Sequence, residues 1–258
     1  MIAIEQDRFI SGQSVRVGTA GWSIPREAAG DFLRDGTHLE RYSRALNCCE
    51  INSSFYRPHK HQTWERWASS VPAGFRFSVK APRTITHHSR LNCGSELLEP
   101  FLEQIRFLRD RLGPILIQLP PSLAFDGGIA RKFLRLLRRL HSGDVAWEPR
   151  HNSWFDEPAD DLLKEFHISR VAADPACAPA AARPGGWAGV AYFRLHGSPR
   201  LYYSRYTPDF VNGLAAQLAN LATGAQVWCV FDNTASGFAI QNALELTGKL
   251  KRPLDGLP

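Results

Sequence analysis

The segment P-I-L-I-Q-L-P-P at residues 114–121 decides the fold class. It is a continuous apolar run of strand length, stopped by two prolines, with none of the polar alternation of a half-solvated strand. Such a strand is buried on both faces, as strands of parallel sheets are. Working outward, Asp126 stands where a helix N-cap belongs. From it to Leu140 the helical period turns Phe133, Leu136, Leu137 and Leu140 inward. The basic residues Arg131, Lys132, Arg135, Arg138 and Arg139 are left outward, which reads as a solvated helix face. The next stretch, V-A-W-E-P-R-H-N-S-W at 145–154, is a second apolar run that breaks off in a carboxylate, a proline, a guanidinium and an imidazole. Strand, helix and strand in this order imply a parallel sheet with right-handed crossovers.

The same rhythm extends both ways. Upstream, strands are expected at 16–19, 48–53 and 75–82, with helices at 38–47, 61–70 and 95–112. Leu39, Tyr42 and Leu46 share one face of the first helix; Trp64 and Trp67 belong to the core through the second. Leu98, Leu102, Ile105, Leu108 and Leu112 form the apolar stripe of the third. Downstream, a helix at 158–166 precedes I-S-R-V-A-A-D-P as strand six. Residues 175–189 are rich in Ala, Pro and Gly and carry no helical period, so the sixth helix is missing or replaced by a loop. V-A-Y-F-R-L-H-G at 190–197 is strand seven, Q-V-W-C-V-F-D-N at 226–233 strand eight, with helices at 208–221 and 237–250. Eight such units, with no linker to divide them, give an α/β fold of one domain over 1–258. The expectation is a TIM-type (β/α)8 barrel with its core at about 15–250. An open doubly wound sheet is the alternative, but G-T-A-G-W-S at 18–23 departs from the G-x-G-x-x-G fingerprint.

Composition narrows the class further. With 258 residues, 44% hydrophobic and 22% charged, the chain can bury a sizeable core. Five cysteines, odd in number and without a C-x-x-C pair, argue for reduced thiols in the cytoplasm and against a disulfide framework. Residues 1–10 carry acids and no long apolar segment, so no signal peptide is expected. No run reaches the roughly 18 apolar residues of a membrane span, so no membrane partner is expected. The net charge of +6 permits an anionic substrate or nucleic acid and requires neither.

In a barrel the C-terminal strand ends form one surface, where catalytic residues gather. Here those ends are polar in strand after strand. Glu50 and Asn52 close strand two, Ser78 and Lys80 strand three, and Gln118 strand four. Glu148 and Arg150 end strand five, Asp174 strand six, Arg194 and His196 strand seven, Asp232 and Asn233 strand eight. A spacing of two puts each pair on one face. One polar end has a structural explanation, as an ion pair or a satisfied histidine. Seven point to a shared mixed-charge mouth, because buried unpaired charges are costly. Trp22, Phe55, Tyr56, Trp154, Tyr202, Tyr203 and Tyr206 follow the strands as aromatic residues, to stack on a ligand or to cover the barrel top. Of His87 and His88, at most one points inward. Lys80, Arg150 and Arg194 nearly neutralise the four acids, so no cofactor is expected. A divalent metal held by Glu148, Asp174, His196 and Asp232 is the alternative, disfavoured because three cations compete for the same carboxylates.

The motifs also carry a resemblance. G-T-A-G-W at 18–22, E-I-N-S-S-F-Y at 50–56, F-S-V-K at 77–80, Q-L-P-P at 118–121, E-P-R-H-N-S-W at 148–154, F-R-L-H-G at 193–197 and F-D-N at 231–233 occur in order. The series resembles the YecE-like family, domain-of-unknown-function family 72. The resemblance runs from about residue 15 to 250 and implies a TIM-type barrel, related in shape to xylose-isomerase-like and endonuclease-IV-type barrels. It implies no established activity. The family's last strand usually reads F-N-N, whereas this one reads F-D-N, so Asp232 is an added carboxylate.

The function expected from the residues is acid/base chemistry on a small polar substrate bearing a phosphate or carboxylate. Glu50, Glu148, His196 and Asp174 are the candidate catalytic groups. Trp22, Asn52, Tyr56, Lys80, Gln118, Arg150, Arg194, Tyr203, Tyr206, Asp232 and Asn233 are the candidate binding groups, the arginines being suited to bidentate anion contacts. A metal-dependent phosphodiesterase or nuclease of endonuclease-IV type, and a non-catalytic nucleic-acid-binding barrel, are the competing expectations.

Overall fold

The computed structural model describes residues 15–251. Residues 1–10, read above for a signal peptide, lie outside the described residues. The elements in chain order begin with β1 (Val15–Ala20), α1 (His38–Ala45), β2 (Cys48–Ile51), α2 (Ser53–Tyr56) and α3 (His61–Ser69). They continue with β3 (Arg76–Lys80), α4 (Ser95–Ile105), β4 (Leu112–Gln118), α5 (Gly127–Leu140), β5 (Val145–Glu148) and α6 (Glu157–Glu165). The last group is β6 (Ser169–Arg170), β7 (Ala172–Asp174), β8 (Gly185–Gly186), β9 (Val190–Leu195), α7 (Pro208–Leu221), β10 (Gln226–Phe231) and α8 (Phe238–Lys251).

All strand pairs are parallel except that of β6 with β8. Neighbours run β7-β9-β10-β1-β2-β3-β4-β5-β6-β8. Residues 169–174 are one stretch of chain that pairs with β5 at its start and with β9 at its end. The sheet therefore returns on itself as an α/β barrel of TIM type. The expected sixth strand is thus two short ones, hinged at Val171, whose N–H still donates to Trp147 O at 2.9 Å. No α-helix follows it; the 3₁₀ turn Pro179–Ala182 and the antiparallel β8 stand in its place.

Local chemistry accounts for the elements. Asp126 Oδ1 accepts from the N–H groups of Gly128 and Ile129 at 2.9 Å, capping α5 as its sequence demands. That helix buries Ala130, Phe133, Leu134 and Leu137, while Leu136 and Leu140 sit half-buried at its flank. The expected helix at 95–112 is shorter. α4 stops at Ile105, a 3₁₀ segment Arg106–Arg111 follows, and Leu112 already belongs to β4. Leu112 continues the helical spacing, yet it lies opposite Phe77 in the sheet. The chain turns with no loop to spare, and Arg109 takes a φ of 53° to make the turn.

Alternation along the strands divides the apolar residues between two cores. Ile115, Ile117, Trp147, Phe77 and Phe193 face outward against the helices. Cys48, Leu116, Ala146, Val171, Val190, Tyr192, Trp228 and Val230 fill the N-terminal half of the barrel interior. Tyr192 stacks on Trp228 at 5.9 Å, and the Arg16 guanidinium covers Trp228 from below. Above this plug the same inward positions turn polar, with Glu50, Ser78, Glu148 and Arg194 all buried. Among the described residues no helix is long and apolar enough to cross a membrane.

Candidate functional site

The period of two in V-A-Y-F-R-L-H places Tyr192, Arg194 and His196 on one inward-facing row. Arg194 is the hub. Its Nε and one terminal nitrogen reach Glu50 at 3.0 and 2.7 Å, the fork geometry that suits a carboxylate. The other terminal nitrogen donates to Glu148 Oε2 at 2.7 Å, and Asp232 Oδ2 lies 3.0 Å from the guanidinium. Burial works against the charge on Arg194, but Glu148, Glu50 and Asp232 together overcome it and hold its pKa well above the ordinary value. Burial likewise opposes ionisation of Glu148, and Arg194 and Arg150 reverse the effect, leaving it well below the usual carboxylate range. Asp232 is lowered in the same way, against burial, by Arg194, the His196 hydrogen bond and Lys80.

The protons of His196 follow from its partners. Arg150 lies 2.7 Å from His196 Nε2, and a guanidinium has only donors. Glu148 Oε1, which only accepts, lies 3.0 Å from the same Nε2; in the neutral ring whose Nδ1–H donates to Asp232 Oδ2 at 2.9 Å, Nε2 accepts from Arg150. The same Arg150 nitrogen is 2.7 Å from Glu148 Oε1, so it bridges the imidazole and the carboxylate. Among the described residues Arg150 Nε has no acceptor. Below, the Tyr192 hydroxyl lies 2.9 Å from Glu50 Oε2 and 2.8 Å from Ser78 Oγ. A carboxylate only accepts, so the phenol proton goes to Glu50; burial keeps that phenol protonated.

Lys80 stands apart. Its ammonium lies 4.3 Å from the centre of the Phe55 ring. Among the described residues it forms no ion pair or hydrogen bond. Burial and the neighbouring Arg194 lower its pKa to about 8, although Glu50, Glu148 and Asp232 pull the other way.

The strand-end residues thus divide. Glu50, Glu148, Arg150, Arg194, His196 and Asp232 come together, with Lys80 beside them. Asp174 does not join: its Oδ1 accepts from the Tyr206 hydroxyl at 2.8 Å. Tyr206 is buried against Phe210 and Phe231. Asn233 is buried and donates to Ser204 O and Asn242 Oδ1, which ties down the loop after β9. Gln118 donates to Leu119 O, and Trp22 packs edge-on to Trp67 and Phe77. Asn52 is half-buried with its Oδ1 unpartnered. Tyr56 and Tyr203 are exposed, 68% and 44%, Tyr203 beneath the Arg200 guanidinium. Of the two histidines, His87 packs edge-on to Phe55 beside Lys80.

The alternative metal set is not assembled. Among the described residues no three His, Cys, Asp or Glu side chains gather as a ligand cluster. Asp174 is turned to Tyr206, and both arginines are threaded between Glu148, His196 and Asp232. The donor chemistry does not fit a divalent ion, since each carboxylate oxygen of Glu148 already faces a guanidinium. Of the network residues, Tyr192 is not among the polar strand ends expected from the sequence, and Ser78 is expected as a strand end but not as a catalytic or binding group. The signal for Tyr192 was its spacing of two from Arg194.

A family model described as "Protein of unknown function DUF72" matches residues 16–257. The chain belongs to the DUF72 family. The UPF0759 protein YecE of Escherichia coli K12 is 35% identical over 109 residues, 42% of this chain and 38% of YecE. The UPF0759 protein YunF of Bacillus subtilis is 27% identical over 162 residues, 59% of this chain and 56% of YunF. The matched stretch spans less than two thirds of either relative. Solved DUF72 structures cover nearly the whole chain. One from Enterococcus faecalis has a TM-score of 0.78 at 21% identity, covering 93% of this chain and 97% of its own. One from Thermotoga maritima has a TM-score of 0.76 at 24% identity, covering 92% and 99%. These likenesses concern the fold, and they agree with the barrel of the DUF72 chain.

Proposed function

We propose that this DUF72 barrel is an enzyme that performs acid/base chemistry on a small substrate bearing a phosphate or carboxylate at the C-terminal mouth. The observation that carries the reading is the arrangement around His196. Asp232 fixes the ring and its Nδ1 proton, so the lone pair of Nε2 is aimed at Arg150. Arg194 is saturated by three carboxylates and serves the scaffold rather than the ligand. Arg150, half-buried and with one N–H uncommitted, is the guanidinium free to take an anion. When it does, His196 Nε2 loses its donor and becomes a base beside the bound molecule, with Glu148 as its carboxylate neighbour. Lys80 adds a second positive group at the rim.

Calorimetric titration with inorganic phosphate and with small carboxylates tests this. The wild type is expected to bind at least one of them, and Arg150→Met to weaken that binding by about tenfold or more, as the loss of a charge-assisted contact does. A wild type that binds neither anion at millimolar concentration overturns the proposal.

A further inference from the structure

We propose that Lys80 is a carbonyl-reactive amine, which forms an imine with a small aldehyde or ketone whose carboxylate is held by Arg150. The inference rests on the anion-binding reading above and narrows its substrate class. Three features of the structure lead to it.

First, among the described residues Lys80 is the one cation of the cluster without an anionic partner. Glu50, Glu148 and Asp232 each bond to Arg194, and Glu148 bonds to Arg150 as well. Second, the groups that face Lys80 come from several walls of the mouth. They are Glu50 on β2, Glu148 on β5, Arg194 on β9 and Asp232 on β10, with the Phe55 ring of α2 against the ammonium. His87, after β3, feels its charge. The Phe55 face and half-burial reduce the hydration of the amine, and a partly desolvated lysine near a fixed cation is the arrangement that yields a nucleophilic amine. Its pKa of about 8 leaves about a tenth of the amine neutral at pH 7. Third, the chain has six lysines, and none of the other five is so placed. Lys164 pairs with Asp160 and Asp161, Lys249 with Glu245, and Lys60, Lys132 and Lys251 are exposed.

The step balances without any further reactant. The ammonium releases one proton, and the freed lone pair of Nζ forms a bond to the carbonyl carbon while the C=O π pair moves to oxygen. A second proton passes from nitrogen to that oxygen, giving a carbinolamine. The first proton returns to the hydroxyl, the C–O bond breaks, and water leaves as nitrogen donates its pair to carbon. The iminium that results carries the same single positive charge as the ammonium it replaces. Glu50, Glu148 and Asp232 therefore stabilise product and reactant alike, and the buried charge balance is undisturbed. The iminium withdraws electrons from the carbon beside it, which suits the His196 base to proton abstraction there.

The test is reductive trapping on the whole protein, with pyruvate or glyoxylate as probe and sodium cyanoborohydride as reductant, followed by peptide mapping. The reduced adduct is expected at Lys80 at least about tenfold ahead of the other five lysines, rising with pH to a plateau above about pH 8. Lys80→Arg keeps the charge but has no nucleophilic amine, and should lose the adduct. An adduct spread evenly over the six lysines, or none at Lys80, overturns the inference. Phosphate titrated against the same preparation separates the two readings. Phosphate bound without a Lys80 adduct sinks the imine and leaves the anion site standing. A Lys80 adduct without phosphate or carboxylate binding sinks the anion site, and with it the role given to Arg150.

Discussion

The two halves of the barrel interior are equally dry and chemically opposite. Leu116 in the N-terminal half is 0% exposed, and Glu148 and Arg194 in the C-terminal half are each 1%. Below, Cys48, Leu116, Ala146, Val171 and Val230 need only volume and apolarity. Above, Glu50, Glu148, Arg194, His196 and Asp232 each depend on a specific partner at hydrogen-bond distance. A buried ion pair contributes little net stability compared with well-packed aliphatic groups, yet losing one partner is severe. The lower half shows that this barrel can be filled with hydrocarbon. The upper half gives up that option, and chemistry at the mouth is what it gains.

Arg194→Met should break the comparison most forcefully. It leaves Glu50 buried with no guanidinium and Glu148 with Arg150 alone, at a cost of about 3–5 kcal/mol, read as a fall in the denaturant midpoint. Adding Glu50→Gln and Glu148→Gln to it should recover a good part of that loss. No recovery would mean that packing, not charge, holds the upper half. In the lower half, Leu116→Ala should cost about 2–4 kcal/mol through the cavity it opens, and by the same amount across pH. A marked pH dependence of that cost would show the two halves to be coupled.

The smallest effect has the opposite sign. Lys80 has a pKa of about 8 in the folded protein against an ordinary 10.5. Between those values the unfolded chain binds more protons than the folded one, so wild-type stability rises with pH across that window. Lys80→Met should abolish the rise. At neutral pH it should stabilise the protein by about 1–3 kcal/mol, an advantage that vanishes by about pH 10. Thermal melts from pH 7 to pH 10 decide this, and a destabilised variant would show that the Lys80 charge supports the fold.

The barrel was legible because period and punctuation report which face a residue takes. Asp126 as a cap, the helix at 208–221 and the paired polar strand ends all follow from that information. The failures share a cause. Leu112 kept helical spacing but entered β4, because sheet register, not spacing, sets its neighbours. Asp174 stood at a strand end like the others, but a tyrosine from the loop after β9 claimed it. The sequence offers Arg194 as a ligand group and does not show the three carboxylates that surround it. Periodicity along one strand cannot say what lies across a barrel. Partners there are set by strands far apart in the chain, and Tyr192 finds Glu50 over 142 residues.

The position of Arg194 along the chain also bears on synthesis. It joins Glu50, 144 residues earlier, to Glu148, 46 earlier, and to Asp232, 38 later. On a ribosome, Glu50 emerges long before Arg194, whereas Glu148 emerges with Arg150 two residues behind it. An unpaired charge is costly to bury, so Glu50 stays hydrated until β9 arrives. Closure over Glu50 is thereby deferred until most of the polypeptide is available.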